Sequence, residues 1–101
     1  MKDRREIEMD FSRALSQAQE LEMLSKELSS IATYHIAEAL RVLKTSWQGD
    51  NSELFNEKGE VLSTEILETA DDLIKVARNI SVTAGVIYKA EKQAMQVGFY
   101  S

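Results

Sequence analysis

The side chains best suited to catalysis are few in this chain. His35 is the single histidine and there is no cysteine, so a Cys–His pair cannot form. A Ser–His–Asp set is formally available because serine is common. A carboxylate-bridged di-metal centre would need Glu-x-x-His on facing helices, but Ala32 stands three residues before His35. We therefore expect His35 to be a half-buried packing residue, and we expect no catalytic site and no metal site.

Other chemical patterns are also missing from the sequence. The glycines are scattered at 49, 59, 85 and 98 rather than gathered in a phosphate-binding loop. Asp71 and Asp72 are adjacent, so on a helix their carboxylates lie on different faces. With 17 acidic and 12 basic residues, the net charge of −5 disfavours nucleic acid and anionic membranes as partners. These features predict a non-enzymatic protein without a cofactor.

The spacing of apolar residues along the chain is that of α-helices. The chain has no proline, and apolar or small residues recur in steps of three and four from Ile7 to Val42. This is the spacing of one helix face. A flanking row that includes Leu15, Ile36 and Leu40 widens the apolar stripe. The sequence predicts a first helix over about 4–45.

A second stripe with the same spacing runs from Phe55 to Ala94. The polar run 56–60 around Gly59 would suit a loop, but the stripe keeps its phase across this glycine. A single glycine costs a helix only about 1 kcal/mol. We therefore predict one helix over about 51–95, with a weak spot at 57–60 and a flexible tail at 96–101.

The break between the stripes is the sequence Trp47-Gln48-Gly49, near the chain midpoint. Gly49 suits the left-handed residue that follows a helix end, and Asp50 with Glu53 has the spacing of a capping box. A turn at 46–50 would join two long antiparallel helices into a helical hairpin, an all-α fold. Trp47 continues the flanking row, so we predict that it closes the hairpin or fills a groove of a partner hairpin.

Two helices alone would leave part of these wide stripes in water. A large contiguous apolar surface indicates a partner, and two hairpins that pair into a dimeric four-helix bundle would cover it. Among the predicted core and interface residues, we expect Phe11, Leu28, Leu62, Leu73 and Ile80 to form core. The full predicted set is Phe11, Leu15, Leu28, Ile31, Leu40, Phe55, Leu62, Leu73, Ile80 and Ile87.

The central Trp-x-Gly turn, the length of 101 residues, the two long helices and Phe55 after the turn together resemble one known family. It is the WXG-motif family of small type VII secretion substrates, the early-secretory-antigen (Esx) type of Gram-positive bacteria and mycobacteria. The segment 80–91 is also similar. The resemblance implies homodimers or heterodimers of hairpins, exported folded by a membrane ATPase without a cleaved signal. Such a protein acts outside the cell as an effector or as a co-secretion partner.

The export signal of that family is a tyrosine followed four residues later by an acidic residue. Here Lys92 stands at that spacing from Tyr88, and the acid, Glu91, comes one residue earlier. Both spacings place side chains on one side of a helix, so the resemblance implies an export signal at Tyr88 and Glu91, as one exposed patch. The alternative is that a partner carries the signal.

Two other functions fit the same pattern. The chain would also serve as a cytosolic adaptor or targeting chaperone that pairs with the helical region of a larger secreted toxin. A membrane-active helical effector is the third, and the acidic balance argues against it. The first ten residues mix basic and acidic side chains, and no apolar run approaches the ~20 residues of a membrane span. We expect neither a signal peptide nor a membrane helix.

Overall fold

The computed structural model describes residues 2–46 and 49–97, and no strand occurs among them. The helical elements are α1 (Arg4–Ser30), a π-helical segment (Ile31–Ile36), α2 (Ala37–Ser46) and α3 (Asp50–Gln96). The prediction of an all-α helical hairpin with two long helical arms is confirmed. Its pairing into a four-helix bundle stays a prediction.

The chain divides into two compact units. The terminal unit contains Met1–Glu22 and Ile74–Ser101, and the turn unit contains Met23–Leu73. The terminal unit therefore pairs the first part of α1 with the second part of α3. The turn unit combines the rest of α1 with α2 and the first part of α3.

The start of each helical arm is fixed by local hydrogen bonds. At α1, the Asp3 carboxylate accepts from the backbone N–H of Glu6 at 2.8 Å, which caps the helix. At α3, the Gly49 carbonyl accepts from the N–H groups of Ser52 at 3.1 Å and Glu53 at 3.3 Å. Gly49 has φ +116°, a left-handed conformation that L side chains rarely adopt. The predicted left-handed glycine is therefore confirmed.

The helix boundaries lie within one residue of the predicted ones, 4–45 and 51–95. The first arm extends to Ser46 and the second begins at Asp50 and ends at Gln96. Val97 continues the final turn by donating to the Gln93 carbonyl at 3.1 Å. Trp47, Gln48 and most of the predicted tail, 98–101, lie outside the described residues, as does the side chain of Asp50 in the predicted capping box.

The core of the terminal unit is narrow. Ile7, Ala18 and Ala77 are its buried apolar residues, and Ile7 is the one large side chain that is fully buried in the described part of the chain. The helices run antiparallel, since Phe11 stacks on Tyr88 and Lys2 bonds to Glu91. Alanines at the contact allow close approach but bury little apolar area.

The turn unit is also held together through small residues. Ala32, Ala70 and Ser25 are buried, and the Ser25 hydroxyl donates to the Ala70 carbonyl at 2.7 Å. That bond satisfies the buried hydroxyl and ties α1 to α3. Nearer to the start of α3, the helix continues without a break through Gly59, and the Leu40 side chain of α2 lies directly against this glycine. The predicted helix through Gly59 is confirmed.

The π-helical segment overturns one expectation. His35 is exposed rather than half-buried, and Ala32 is the buried residue of that segment. A π-helix bonds i to i+5 and so holds an extra residue per turn, which rotates later residues relative to the stripe. Buried Ala32 and half-buried Ile36 and Leu40 then follow one another in steps of four, and exposed His35 lies outside this row.

The two glycines of α3 provide a matched stability test. A Cβ at Gly59 would lie 2.5 Å from Leu40 Cδ2 and 3.0 Å from its Cγ, whereas a Cβ at Gly85 meets nothing within 4 Å. We expect Gly85→Ala to raise the unfolding free energy by about 0.5–1 kcal/mol through helix propensity. We expect Gly59→Ala to gain less than Gly85→Ala, because the Leu40 side chain must move to accept the new Cβ and overpacking is destabilising.

The measurement is urea unfolding followed by circular dichroism at one protein concentration, since association also stabilises folded chains. Adding Leu40→Ala to Gly59→Ala should restore the propensity gain relative to Leu40→Ala alone. Equal gains from the two glycine substitutions would contradict the close approach of Leu40 to Gly59.

Candidate functional site

In the terminal unit, an apolar groove lies between α1 and α3. It has a volume of about 480 Å³, in the range typical of ligand and side-chain pockets. Apolar side chains from both helices form much of the wall, and Asn79 and Thr83 also line it. The apolar wall residues are Ile7, Phe11 and Ala14 from α1, and Val76, Ile80 and Ile87 from α3. The groove is open to solvent. We call it the terminal groove because all of its lining residues belong to the terminal unit.

Helical periodicity creates the groove. The three wall residues of α1 are spaced by four and three residues, and those of α3 by four and seven, so each set shares one helix face. Small side chains at Ala14 and Ala84 leave space between the larger ones. Val76 and Ile87 are 47% and 49% exposed.

Tyr88 anchors one side of the groove. Its ring stacks on Phe11 with a centroid separation of 4.3 Å and an interplanar angle of 28°. Its hydroxyl donates to Glu8 Oε1 at 2.7 Å, and Lys92 Nζ donates to the same oxygen at 3.0 Å. Lys92 Nζ also lies 5.4 Å from the centre of the Tyr88 ring.

These contacts change the acidity of the groups involved. The hydrogen bond from Tyr88, and then that from Lys92, lowers the pKa of the Glu8 carboxyl. The bond to Glu8 raises the pKa of the Lys92 ammonium. Both groups are therefore stabilised in their charged forms in the folded protein.

A second charged cluster lies where the groove meets the N-terminal residues. Lys2 Nζ lies 3.0 Å from Asp10 Oδ2 and 3.1 Å from Glu91 Oε1. These bonds, that to Asp10 first, raise the pKa of Lys2. The Glu91 side chain is only 14% exposed, and its Oε2 atom is buried without a hydrogen-bond partner among residues 2–46 and 49–97. Lys2, Asp10 and Glu91 all line the terminal groove.

The predicted export-signal residues lie together here, but their environment differs from the prediction. Tyr88 and Glu91 do share one side of α3, yet both are half-buried against α1 rather than forming an exposed patch. The reason is the antiparallel pairing, which places the N-terminal residues of α1 over this part of α3. Phe11 and Lys2 cover the two side chains. Whether Tyr88 and Glu91 signal export stays a prediction.

The other predicted core and interface residues are distributed over both units. Phe11, Ile80 and Ile87 meet in the terminal groove. Half-buried positions are Leu15 in the terminal unit and Leu28, Leu40 and Leu73 in the turn unit. Exposed positions in the turn unit are Ile31, Phe55 and Leu62. Leu62, expected in the core, is 49% exposed, so packing within one chain does not cover it.

Three contributors were missed by the sequence analysis, namely Lys2, Glu8 and Asp10. Their positions just before α1 or on its first turns gave no sign that they lie at the contact with α3, because charged residues are common at helix ends. Lys2 meets Glu91, 89 positions away, and Glu8 meets Tyr88, 80 positions away, while Asp10 joins the cluster through Lys2. The partner of each depends on the pairing register of the two helices, which helical periodicity does not specify.

Clusters of metal-ligating side chains and membrane-spanning helices are both missing from the described part of the chain. Within 2–46 and 49–97, no three metal-ligating side chains come together. No helix in these ranges is both long and apolar enough to span a membrane. Comparison with models of known protein families, with characterised proteins and with solved structures finds no match to this chain. Functional inference therefore depends on the groove and the exposed helix faces.

The charge contacts around Tyr88 predict a pH dependence of stability. Because the folded-state pKa of Glu8 is lowered, its contribution is complete above the ordinary value of 4.5 and is lost as pH falls through the folded-state pKa. The pKa values of Lys2 and Lys92 are raised above 10.5, so their contributions are lost as pH rises through the folded-state values. We expect the unfolding free energy to decrease on both the acid and the alkaline side.

Urea unfolding at a series of pH values tests the Glu8 part of this prediction. Glu8→Gln should flatten the acid side of the profile relative to the unmodified protein, because the titrating partner of Tyr88 and Lys92 is gone. Glu20→Gln, at an exposed position of α1, serves as the control. An acid profile that is equally steep in Glu8→Gln would show that Glu8 does not contribute.

Proposed function

We propose that this chain is a non-enzymatic helical hairpin that functions by pairing with another helical protein. We further propose that it is a leaderless secreted protein of the type VII kind, acting as an effector or as a co-secretion partner. The observation that carries the proposal is the amount of large apolar side chain that one chain leaves exposed. Pairing into a dimeric four-helix bundle, with itself or with another hairpin, would cover those side chains.

The contrast between buried and exposed residues supports the pairing. Among the residues that the structure describes, the buried apolar positions are one isoleucine and four alanines: Ile7, Ala18, Ala32, Ala70 and Ala77. Large apolar residues at least 40% exposed occur along both helical arms and include Leu24, Ile31, Leu43, Phe55, Leu62, Leu67, Val76 and Ile87. Single exposed apolar residues are ordinary, but rows of them at helical spacing indicate a surface that another helix covers.

The turn supports the type VII part of the proposal. The resemblance was based on Trp47-Gln48-Gly49 between two long helices. Gly49 has the left-handed backbone that such a turn needs, and helices end and begin within three residues of it. On this proposal the protein is exported in folded form by a membrane ATPase and reaches the extracellular space without a cleaved signal peptide.

A second candidate is favoured by one specific observation. Tyr88 and Glu91 are held against α1 by Glu8, Phe11 and Lys2, so a recognition machine would not meet them as a free patch. If a partner carries the export signal instead, the chain fits a cytosolic adaptor or targeting chaperone. It would then pair with the helical region of a larger secreted toxin.

Secretion can be tested directly in a Gram-positive host with an active type VII system. We expect the chain to accumulate in the culture medium, and we expect deletion of the secretion ATPase to retain it in the cells. A known substrate of the same machine is the positive control for activity. Retention of this chain in the cells while that control is exported would contradict the secreted function.

Affinity capture of the tagged chain from the same cells separates the two candidates. A stable one-to-one complex with a larger helical protein, together with retention of the free chain, would support the adaptor. Export of the chain as a dimer without a larger protein would support the secreted hairpin.

A further inference from the structure

We propose that residues 2–11 form a latch, which covers the turn 88–92 of α3 and detaches before another protein contacts that turn. This inference rests on the proposed function, because the covered turn contains Tyr88 and Glu91, the predicted export signal. It adds a regulatory step to that function. Three properties of the terminal unit support it: the latch contact is small, several of its charged groups keep another partner on opening, and the closed form holds one carboxylate oxygen away from water.

Charged and polar side chains hold the edge of the latch against the covered turn. Glu8 Oε1 accepts from the Tyr88 hydroxyl at 2.7 Å and from Lys92 Nζ at 3.0 Å. Lys2 Nζ donates to Glu91 Oε1 at 3.1 Å. The side chains of Lys2 and Glu8 are 42% and 47% exposed. Because water and salt screen charges at such positions, each of these contacts contributes little to stability.

The apolar part of the latch contact is also small. Ile7 is 2% exposed, and the half-buried Phe11 ring stacks on Tyr88. In the described part of α1, the next buried residue after Ile7 is Ala18, about three turns farther along. Detachment of residues 2–11 would therefore uncover one fully buried large side chain and separate one pair of rings. Chain termini with few buried contacts are where local opening begins.

Two of the charged groups keep a partner when the latch detaches. Lys2 Nζ also lies 3.0 Å from Asp10 Oδ2, and both residues belong to the latch. Lys92 Nζ lies 5.4 Å from the centre of the Tyr88 ring, and both residues belong to α3. Since these contacts lie within the latch or within α3, separation of the two leaves them in place. Opening therefore leaves neither ammonium without a partner.

One buried atom makes the closed form less favourable. Glu91 Oε2 is buried and has no hydrogen-bond partner within 2–46 and 49–97, although Oε1 of the same carboxylate bonds to Lys2. A buried carboxylate oxygen without a donor has lost its hydration and gained nothing in return. On this proposal, detachment of Lys2 and its neighbours returns Oε2 to water. The closed form thus carries a penalty that opening removes, which favours a reversible contact over a permanent one.

Opening would present an aromatic and an acidic side chain together. Tyr88 and Glu91 are three residues apart on α3, so they lie on one side of that helix. In the closed form the Tyr88 hydroxyl is bonded to Glu8 and the Glu91 carboxylate to Lys2. A recognition protein would meet both groups free only after the latch has detached. The latch therefore controls access to the predicted signal.

Hydrogen exchange of the full chain measures how often the latch opens. Lys2→Gln removes the ammonium that pairs with Glu91, and Glu8→Gln removes the charge that pairs with Lys92. We expect each substitution to raise the exchange rate of the backbone amides of 7–11 roughly two- to fivefold. Higher salt should act in the same direction, because it screens the same contacts. The amides of 24–30, in the turn unit, should exchange as before.

Two further variants serve as controls. Arg41→Gln breaks an ion pair with Glu38 at exposed positions of α2, in the turn unit, and should leave exchange at 7–11 unchanged. Glu8→Cys combined with Lys92→Cys allows a short bis-maleimide to hold the latch closed, and the linkage is specific because the chain has no other cysteine. The linked chain should exchange more slowly at 7–11 than the same variant without the linker.

Export then connects the latch to the proposed function. In the type VII host, Lys2→Gln and Glu8→Gln should raise the initial rate of export roughly two- to fivefold, whereas Arg41→Gln should not. Exchange at 7–11 that is equal in the unmodified chain and in both latch variants would overturn the inference. Faster exchange without faster export would also overturn it, because the latch would then not limit access. A chain that is not exported in any form, while the known substrate is, would instead contradict the proposed function, and the exchange rates judge the latch independently of that result.

Discussion

The close approach of two helices through small side chains is the constraint on which the rest of the structure depends. Ala18 and Ala77 occupy the contact in the terminal unit, and Ala70 and Ser25 do so in the turn unit. The bond from the Ser25 hydroxyl to the Ala70 carbonyl shows how near the two backbones come. Alanine and serine bury little apolar area. Since they occupy the contact, most of the larger side chains lie beside it. There they are only partly covered.

The flanking residues account for both functional proposals. In the terminal unit, the uncovered side chains line a groove, and the charged residues at its end hold the N-terminal residues against α3. In the turn unit, Phe55 and Leu62 are about half exposed on α3. One hairpin of this kind buries only part of the apolar stripes on its two helices. A second helical protein would cover the rest.

Helical periodicity was sufficient to predict the two arms and the continuation of α3 through Gly59, since each depends on residues close in sequence. The burial of His35 was predicted wrongly because the π-helical segment changes the phase within one arm. The exposure of Tyr88 and Glu91 was wrong for another reason. Their environment depends on which residues of α1 lie opposite, and that register is a property of the assembled pair of helices. The role of Lys2 depends on the same register.

The unfolding free energy of Ala77→Leu tests the central constraint most directly. Ala77 has no exposed surface, and Leu has a higher helix propensity than the β-branched residues and nearly that of Ala. Any large effect would therefore report packing rather than helix formation. If the helices touch at Ala77, the added side chain should lower the unfolding free energy by about 1–3 kcal/mol, while Val86→Leu at an exposed position should change it little. An unchanged or higher unfolding free energy for Ala77→Leu would contradict the account.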